Sequence, residues 1–230
     1  MTSSLPAAAL WDMDGTLVDT EPEWIACERA LVEAYNGTWT DADSLALVGQ
    51  DLLSAAAHIR DRGQVPLRPE QIVEWMVDEM VRRLGRGATW QPGALELLTD
   101  LREAGIPCAL VTMSYRRLAD AVLDRLPPGT FEAVVTGDEV GLGKPHPEPY
   151  LTAAEMLGVD PMGCVVIEDS SPGVASGLAA GCRVVAVPHV TGIDAALDVP
   201  VLQSLTGLRV EDLAAGAELW HPDGRVEPSR

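Results

Sequence analysis

WDMDGTLVDTEPEW, residues 11–24, decides how the rest of the chain is read. A short apolar run over residues 5–11 leads into Asp12, a second carboxylate follows at Asp14, and Gly15-Thr16 comes next. An apolar strand that stops at an acid, then a second acid, then a glycine, sets both carboxylates in a tight turn at a strand end. That is where α/β sheets keep their chemistry. An isolated Asp-X-Asp is most often an ordinary acidic turn. DxDGT at the end of a first strand is more specific, because one such turn can hold an attacking carboxylate and a proton-transferring one. The reading then depends on later strands delivering matching groups.

Working outward, residues 21–88 change to a helical pattern. Trp24, Cys27, Leu31 and Tyr35 fall at helical spacing, as do Val73, Met76, Met80 and Leu84, and residues 41–60 add further helical material. Nothing between residues 21 and 89 reads as a strand. From Gly93 the pattern alternates. Helices are expected over about 93–104, 115–125, 149–157 and 172–180, with strands over 106–112, 132–136, 164–167 and 183–187. Repeated βα alternation predicts an α/β fold, a Rossmann-like parallel sheet core, and the helical block just after the first strand reads as an inserted all-helical cap. The expected division is a core of residues 1–20 and 90–230 and a cap of residues 21–89. The tail after Trp220 is expected to fray.

The chain has 230 residues and 47% hydrophobic content, enough for a real core, but 4% aromatics leave Leu, Val, Ala and Ile to do most of the packing. With 16 basic and 35 acidic residues the net charge is −19, which argues against nucleic acid or an anionic membrane as partner. A small phosphorylated molecule needs only a local cationic site and is not excluded. Cys27, Cys108, Cys164 and Cys182 are widely spaced without a CxxC, so reduced thiols in a cytoplasmic protein are expected. The N-terminus lacks the pattern of a signal peptide, and no apolar run reaches membrane-span length. Oligomeric state is not legible. Of the basic residues, 15 are arginine and one, Lys144, is lysine.

In a parallel sheet all strands point their C-terminal ends the same way. The first expected strand ends at Asp12 and Asp14, the second at Thr112 in LVTMS, the third at Thr136 before GDEVGLGK and Lys144, and the fourth at Glu168-Asp169 in VVIEDSSPG. Each group alone has an ordinary reading as cap, loop charge or helix start. Four segments converging on one rim point to a site. Four carboxylates there ask for a cation: two like charges about 4 Å apart repel by roughly 4 kcal/mol at an effective dielectric near 20. Oxygen ligands without His or Cys favour Mg²⁺ (or Mn²⁺) over Zn²⁺. Lys144 offers a compact positive charge, and the Thr112 hydroxyl and the Met113 backbone N–H offer donors, to a phosphoryl group beside a carboxylate nucleophile.

DMDGTLVDTEPEW, LVTMS, GKPHPEPY and VVIEDSSPG resemble, in order and spacing, the four motifs of the haloacid dehalogenase superfamily. The helical insert resembles the cap of its β-phosphoglucomutase-like branch, and DTEPEW is similar to the opening of sugar-phosphate phosphatases such as the 2-deoxyglucose-6-phosphate phosphatases. The resemblance implies that Asp12 is a nucleophile forming an aspartyl-phosphate, and that Asp14 protonates the leaving oxygen and then activates water. It implies Mg²⁺ held by Asp12, the Asp14 backbone carbonyl and Asp169, with Glu168 in or beside that set, and a phosphoryl group bound by Thr112, Met113 and Lys144.

Dehalogenases of the superfamily lack the second aspartate, and phosphonatase-like relatives need a cap lysine, which residues 21–89 do not contain. Mutases carry a His where this chain has Trp24 and use a basic group in a cap loop placed here near Gly49-Gln50-Asp51-Leu52, a stretch without positive charge. A phosphomutase is the nearest alternative, with Arg60, Arg62 and other cap arginines the cations that could still reach in to serve it. A phospho-receiver domain is the remote alternative and lacks both the cap and the second acid. The expected activity is therefore Mg²⁺-dependent hydrolysis of a small phosphorylated metabolite, a sugar or polyol phosphate, with Trp24, Gln50 and Asp51 as candidate substrate contacts.

Overall fold

The computed structural model describes residues 5–48 and 50–214. Gly49 of the expected cap loop and the tail expected to fray lie outside the described residues. In chain order the elements are β1 Ala8–Trp11, β2 Val18–Asp19, α1 Glu21–Ala34, α2 Asp41–Leu45, α3 Leu52–Arg62, α4 Pro69–Leu84, β3 Thr89–Trp90, α5 Ala94–Glu103, β4 Cys108–Val111, α6 Arg116–Leu123, β5 Ala133–Val135, α7 Glu148–Leu157, β6 Cys164–Glu168, α8 Ser171–Ala179, β7 Arg183–Ala186 and α9 Val210–Ala214.

Five of the strands form one sheet in the order β5-β4-β1-β6-β7, with every neighbouring pair parallel. β1 lies at the centre and is buried on both faces. Ala9 and Trp11 point into one apolar cluster, Ala8 and Leu10 into the other, as the two-residue period of a strand demands. The chain runs outward from β1 through β4 to β5 and then returns to β6 on the other side. The order therefore switches at β1, where open α/β sheets form a crevice at their C-terminal ends. Asp12 continues the ladder past β1, its N–H donating to the Ile167 carbonyl at 3.0 Å.

Four helices, α1 to α4, stand between β2 and β3, as the helical periodicity predicts. Along α4, Ile72, Val73, Met76, Val77, Met80 and Leu84 are buried in one stripe, against α1 and α3 within the helical block and α6 on the sheet side. A single apolar cluster runs from the sheet through Met13, Leu17 and Val18 to Cys27, Leu31 and Met76, so the helical block is packed onto the sheet layer. Arg117 of α6 reaches Glu74 and Asp78 of α4 across the same junction.

Two expectations need correction. Residues 21–89 are not free of strand: Thr89 belongs to β3, which pairs antiparallel with β2, Val18 opposite Trp90 and Asp19 opposite Thr89. A two-residue strand is too short to leave a period in the sequence. This ribbon carries the chain into and out of the helical block. Tyr35 does not continue the stripe of Cys27 and Leu31; it is the C-cap residue of α1 and is exposed. Among the described residues, no helix is long and apolar enough to cross a membrane, and all four cysteines are buried free thiols.

Candidate active site

The turn after β1 is shaped by backbone. Leu17 and Val18 both donate to the Met13 carbonyl, and Gly15 donates to the Val18 carbonyl at 2.8 Å. Gly15 sits at φ +85°, in the left-handed region, and a Cβ there would lie 2.1 Å from Asp169 Oδ2. Only glycine lets the end of β1 and the end of β6 approach this closely.

Asp12, Glu168 and Asp169 each offer a carboxylate oxygen, and the three lie within 4.8 Å of one another. Lys144 stands among them, 5% exposed, its Nζ donating to Asp12 Oδ1 at 2.6 Å, Glu168 Oε1 at 2.6 Å and the Val111 carbonyl at 2.9 Å. The Tyr150 hydroxyl also donates to Glu168 Oε1, at 2.7 Å, and the Ser170 N–H and hydroxyl donate to Oε2. Glu168 is fully buried, and α8 begins against it: a Cβ on Gly173 would fall 1.8 Å from Oε1.

The charge of this cluster fits a divalent cation. Three carboxylates against one ammonium leave two negative charges. Burial, with Glu168 and Asp14 nearby and against the pull of Lys144, pushes Asp12 up to about 7. Burial, with Asp12 and Glu168, pushes Asp169 up to about 9. Burial works against the Lys144 charge, but Asp12 and Glu168 outweigh it and hold the ammonium above its ordinary value. Asp12 Oδ2 is buried without any hydrogen-bond partner, an oxygen that a cation would satisfy. An all-oxygen donor set suits a hard ion.

The Asp14 side chain stands apart from this cluster. Four donors converge on it: the Thr20 hydroxyl at 2.7 Å and Trp24 Nε1 at 3.4 Å on Oδ1, and the Thr112 hydroxyl at 3.1 Å and the Ser114 hydroxyl at 2.8 Å on Oδ2. Thr20 holds the N-cap position of α1 yet makes no side-chain cap, its hydroxyl being turned to Asp14 instead. The Ser114 N–H donates to the Thr112 hydroxyl, which fixes that hydroxyl's own proton on Asp14. Met113 lines the opening, its sulfur accepting the Lys144 N–H at 3.3 Å.

These groups form the floor of a cavity of about 300 Å³ whose opposite wall comes from the helical block. Trp24, Gln50 and Asp51 all line it. Gln50 Nε2 donates to the Ala46 carbonyl, and Asp51 caps α3 by accepting from the Leu53 and Ser54 N–H groups. Arg60 and Arg62 are not in the lining; they pair with Asp61 and Asp43. The sequence reading brought Asp12, Asp14, Thr112, Met113, Lys144, Glu168 and Asp169 to this place. It passed over Thr20, Ser114, Tyr150, Glu28 and His189. Ser114 and Tyr150 lay inside the quoted LVTMS and GKPHPEPY segments, and Glu28 is one helical turn beyond Trp24. His189, 2.9 Å from Asp19, follows the last strand and carries no local signal.

A family model of haloacid dehalogenase-like hydrolases matches residues 6–181. The chain belongs to that family. Hexitol phosphatase A of Escherichia coli (strain K12) is 37% identical to this hydrolase over 181 residues, covering 77% of this chain and 81% of that one. A bifunctional riboflavin kinase/FMN phosphatase of Arabidopsis thaliana is 32% identical over 212 residues, covering 90% of this chain, which spans only 55% of that protein's length. The crystal structure of CbbY from Rhodobacter sphaeroides in complex with phosphate superposes with a TM-score of 0.81 at 24% identity, covering 89% of this chain and 96% of that one. At that identity the likeness speaks for the haloacid dehalogenase-like fold alone.

Proposed function

We propose that this hydrolase is a Mg²⁺-dependent phosphatase acting on a small phosphorylated metabolite, a sugar or polyol phosphate, through an aspartyl-phosphate. The observation that carries the reading is the pairing of two differently held carboxylates on one turn. Asp12 is buried beside Lys144 with one oxygen unpartnered, and Asp14, two residues on, faces four donors at the cavity floor. The relatives named hexitol phosphatase and phosphorylated carbohydrates phosphatase support the substrate class. The division into a core of residues 1–20 and 90–230 and a cap of residues 21–89 belongs to the same proposal. So do a cytoplasmic setting and the absence of nucleic-acid and membrane partners, which the charge of −19 favours.

Asp12 attacks phosphorus, and the P–O bond to the alcohol breaks as Asp14, which must enter this step carrying a proton, gives it to the leaving oxygen. Asp14 must turn from at least one of its four donors to do so. Once the alcohol has left, Asp14 takes a proton from water, which attacks phosphorus and returns Asp12 as a carboxylate. Lys144 keeps Asp12 oriented. All three of its protons are engaged by protein oxygens, so a direct contact with the phosphoryl group requires exchanging one of them. The Met113 backbone N–H is the donor at the same rim for that group, and the Thr112 hydroxyl joins it only by exchanging the one proton it gives to Asp14. Asp12, Asp169 and Glu168, with the Asp14 backbone carbonyl, would hold Mg²⁺, which would offset the charge gathered on the phosphoryl oxygens.

The test is phosphate release from a panel of sugar and polyol phosphates, with Mg²⁺ and with EDTA, by wild type and Asp12→Asn. Turnover should need the metal and fall by ~10³-fold or more in the variant while its thermal unfolding stays cooperative. Near-normal kcat in Asp12→Asn, or full activity in chelator, would sink the mechanism.

A further inference from the structure

Helix α1 presents Glu21, Trp24 and Glu28 at i, i+3 and i+7, one stripe facing the cavity. Glu28 is the unusual member. It is 5% exposed, and carboxylates are seldom buried so deeply without a reason. Trp39 Nε1 donates to Glu28 Oε2 at 3.0 Å and to Ser44 Oγ at 2.9 Å, and Ser44 in turn hydrogen-bonds Glu28. Trp39 is itself braced edge-on by His58, with ring centroids 6.1 Å apart. Burial pushes the Glu28 carboxyl up, and these two donors work against that push. A carboxylate has roughly four acceptor positions, so two donors leave about half of its capacity for a ligand in the cavity. Neither Glu28 nor Ser44 takes any part in the cluster around Lys144, yet both line the same cavity as Asp12. A packing role alone would be filled better by an apolar side chain, which carries no desolvation cost.

We propose that Glu28, fixed by Trp39 and Ser44, is a specificity-determining residue that accepts a hydrogen bond from a hydroxyl at the end of the substrate remote from the phosphoryl group. The inference rests on the phosphatase reading and sharpens it. A remote anionic group is disfavoured, because Glu21, Glu28 and Asp51 all face that end of the cavity, whereas Lys144 belongs to the floor. A remote ammonium is a weaker fit than a hydroxyl. It carries several protons, Asp51 is already taken up by the Leu53 and Ser54 N–H groups, and Ser44 is shared between Trp39 and Glu28. Glu28 keeps acceptor positions free, and the Ser44 hydroxyl, which accepts from Trp39 and gives its one proton to Glu28, keeps a single lone pair, so the pair suits neighbouring hydroxyls of a polyol that donate to it.

The experiment measures kcat/KM by phosphate release for a hexitol phosphate, for phenyl phosphate, whose leaving group has no remote hydroxyl, and for glucosamine 6-phosphate. Wild type, Glu28→Gln and Ser44→Ala are compared with Mg²⁺ present. The hexitol-to-phenyl ratio should favour the hexitol ester in wild type. It should fall by about ten-fold or more in Glu28→Gln, mainly through KM, and in the same direction in Ser44→Ala. A merely structural role would lower both substrates together and leave the ratio alone. A ratio within two-fold of wild type in both variants, or no preference for the hexitol ester in wild type, would overturn the proposal. A wild-type preference for the amino sugar ester over the hexitol ester that vanishes in Glu28→Gln would overturn it in favour of ammonium recognition. Failure of the wild type to release phosphate from phenyl phosphate and the rest of the panel would instead remove the phosphatase reading itself.

Discussion

Lys144 has three protons and gives each to an oxygen, in a pocket where Tyr150 lies 5.1 Å beneath its ammonium. A guanidinium keeps the charge but is planar, larger and forked, and cannot reproduce three converging bonds from one atom. Lys144→Arg should therefore lose about 10²-fold in kcat/KM, read by phosphate release. Wild-type kinetics in that variant would make the lone lysine a compositional accident. Asp12 and Asp169 yield a second prediction, in pH. Their carboxyls sit near 7 and 9 in the cation-free fold against an ordinary 3.8. Between those values the folded state binds protons that the unfolded chain has released. Their contribution to stability is thus complete at low pH and declines as pH rises through 7 and then 9. A cation that replaces those protons reverses the trend, so the gain in Tm from Mg²⁺ should be larger at about pH 8.5 than at about pH 6. An equal or smaller gain at the higher pH would contradict the assignment of these two carboxylates as its ligands. At this scale the sequence was legible wherever a residue sat next to a strand end. Asp12, Thr112 and Asp169 each directly follow a strand, so strand ends locate them. Thr20 and Glu28 occupy helix positions whose neighbours are set only by packing, and nothing in their own local sequence announces them.

β1 and β6 pair as neighbours in the sheet, and Gly15 lets the turns that follow them close on each other at Asp169. Ala at position 15 would have to hold φ near +85° and place its Cβ inside the Asp169 carboxylate. The backbone strain is worth about 1–2 kcal/mol and the overpacking about 1–3 kcal/mol, so Gly15→Ala should destabilise the protein by roughly 2–5 kcal/mol in urea unfolding. Because the displaced group is Asp169, the Mg²⁺ concentration for half-maximal activity should rise as well. Unchanged stability and metal dependence would mean the loop relaxes freely. The long elements were readable because their apolar residues repeat over several turns or along fully buried strands. The β2–β3 ribbon was not. It has two residues per strand, its Val18 and Trp90 are separated by the whole helical block, and its pairing is visible only once that block has folded back.

At the scale of the molecule, a chain with net charge −19 gathers its one lysine and three carboxylates at the switch point of a parallel sheet and closes the opening with a helical wall that carries acids. The wall bears on which phosphate esters fit. Among the described residues no arginine lines the cavity, Lys144 belongs to its floor and His189 is paired with Asp19, so a second phosphate would face Glu21, Glu28 and Asp51. A hexose bisphosphate should have a kcat/KM about ten-fold or more below that of the corresponding monophosphate. Product analysis with a bisphosphate primer should likewise give free phosphate rather than an isomerised sugar phosphate. Comparable turnover of the bisphosphate, or rapid isomerisation, would return the mutase reading. The general architecture was legible because βα alternation is a repeated signal. The cavity's chemistry was less so, because it depends on which face of α1 turns inward.

The near-complete burial of Lys144 has a practical corollary for acylation chemistry. Reagents that form amides are attacked only by neutral, accessible amines, and this side chain is 5% exposed and held as an ammonium by two carboxylates. The peptide bearing Lys144 should gain acyl mass only from molecules that have opened. Since no other lysine competes, mass spectrometry of that one peptide over time is a clock for the opening of the cavity floor. Mg²⁺ should slow it.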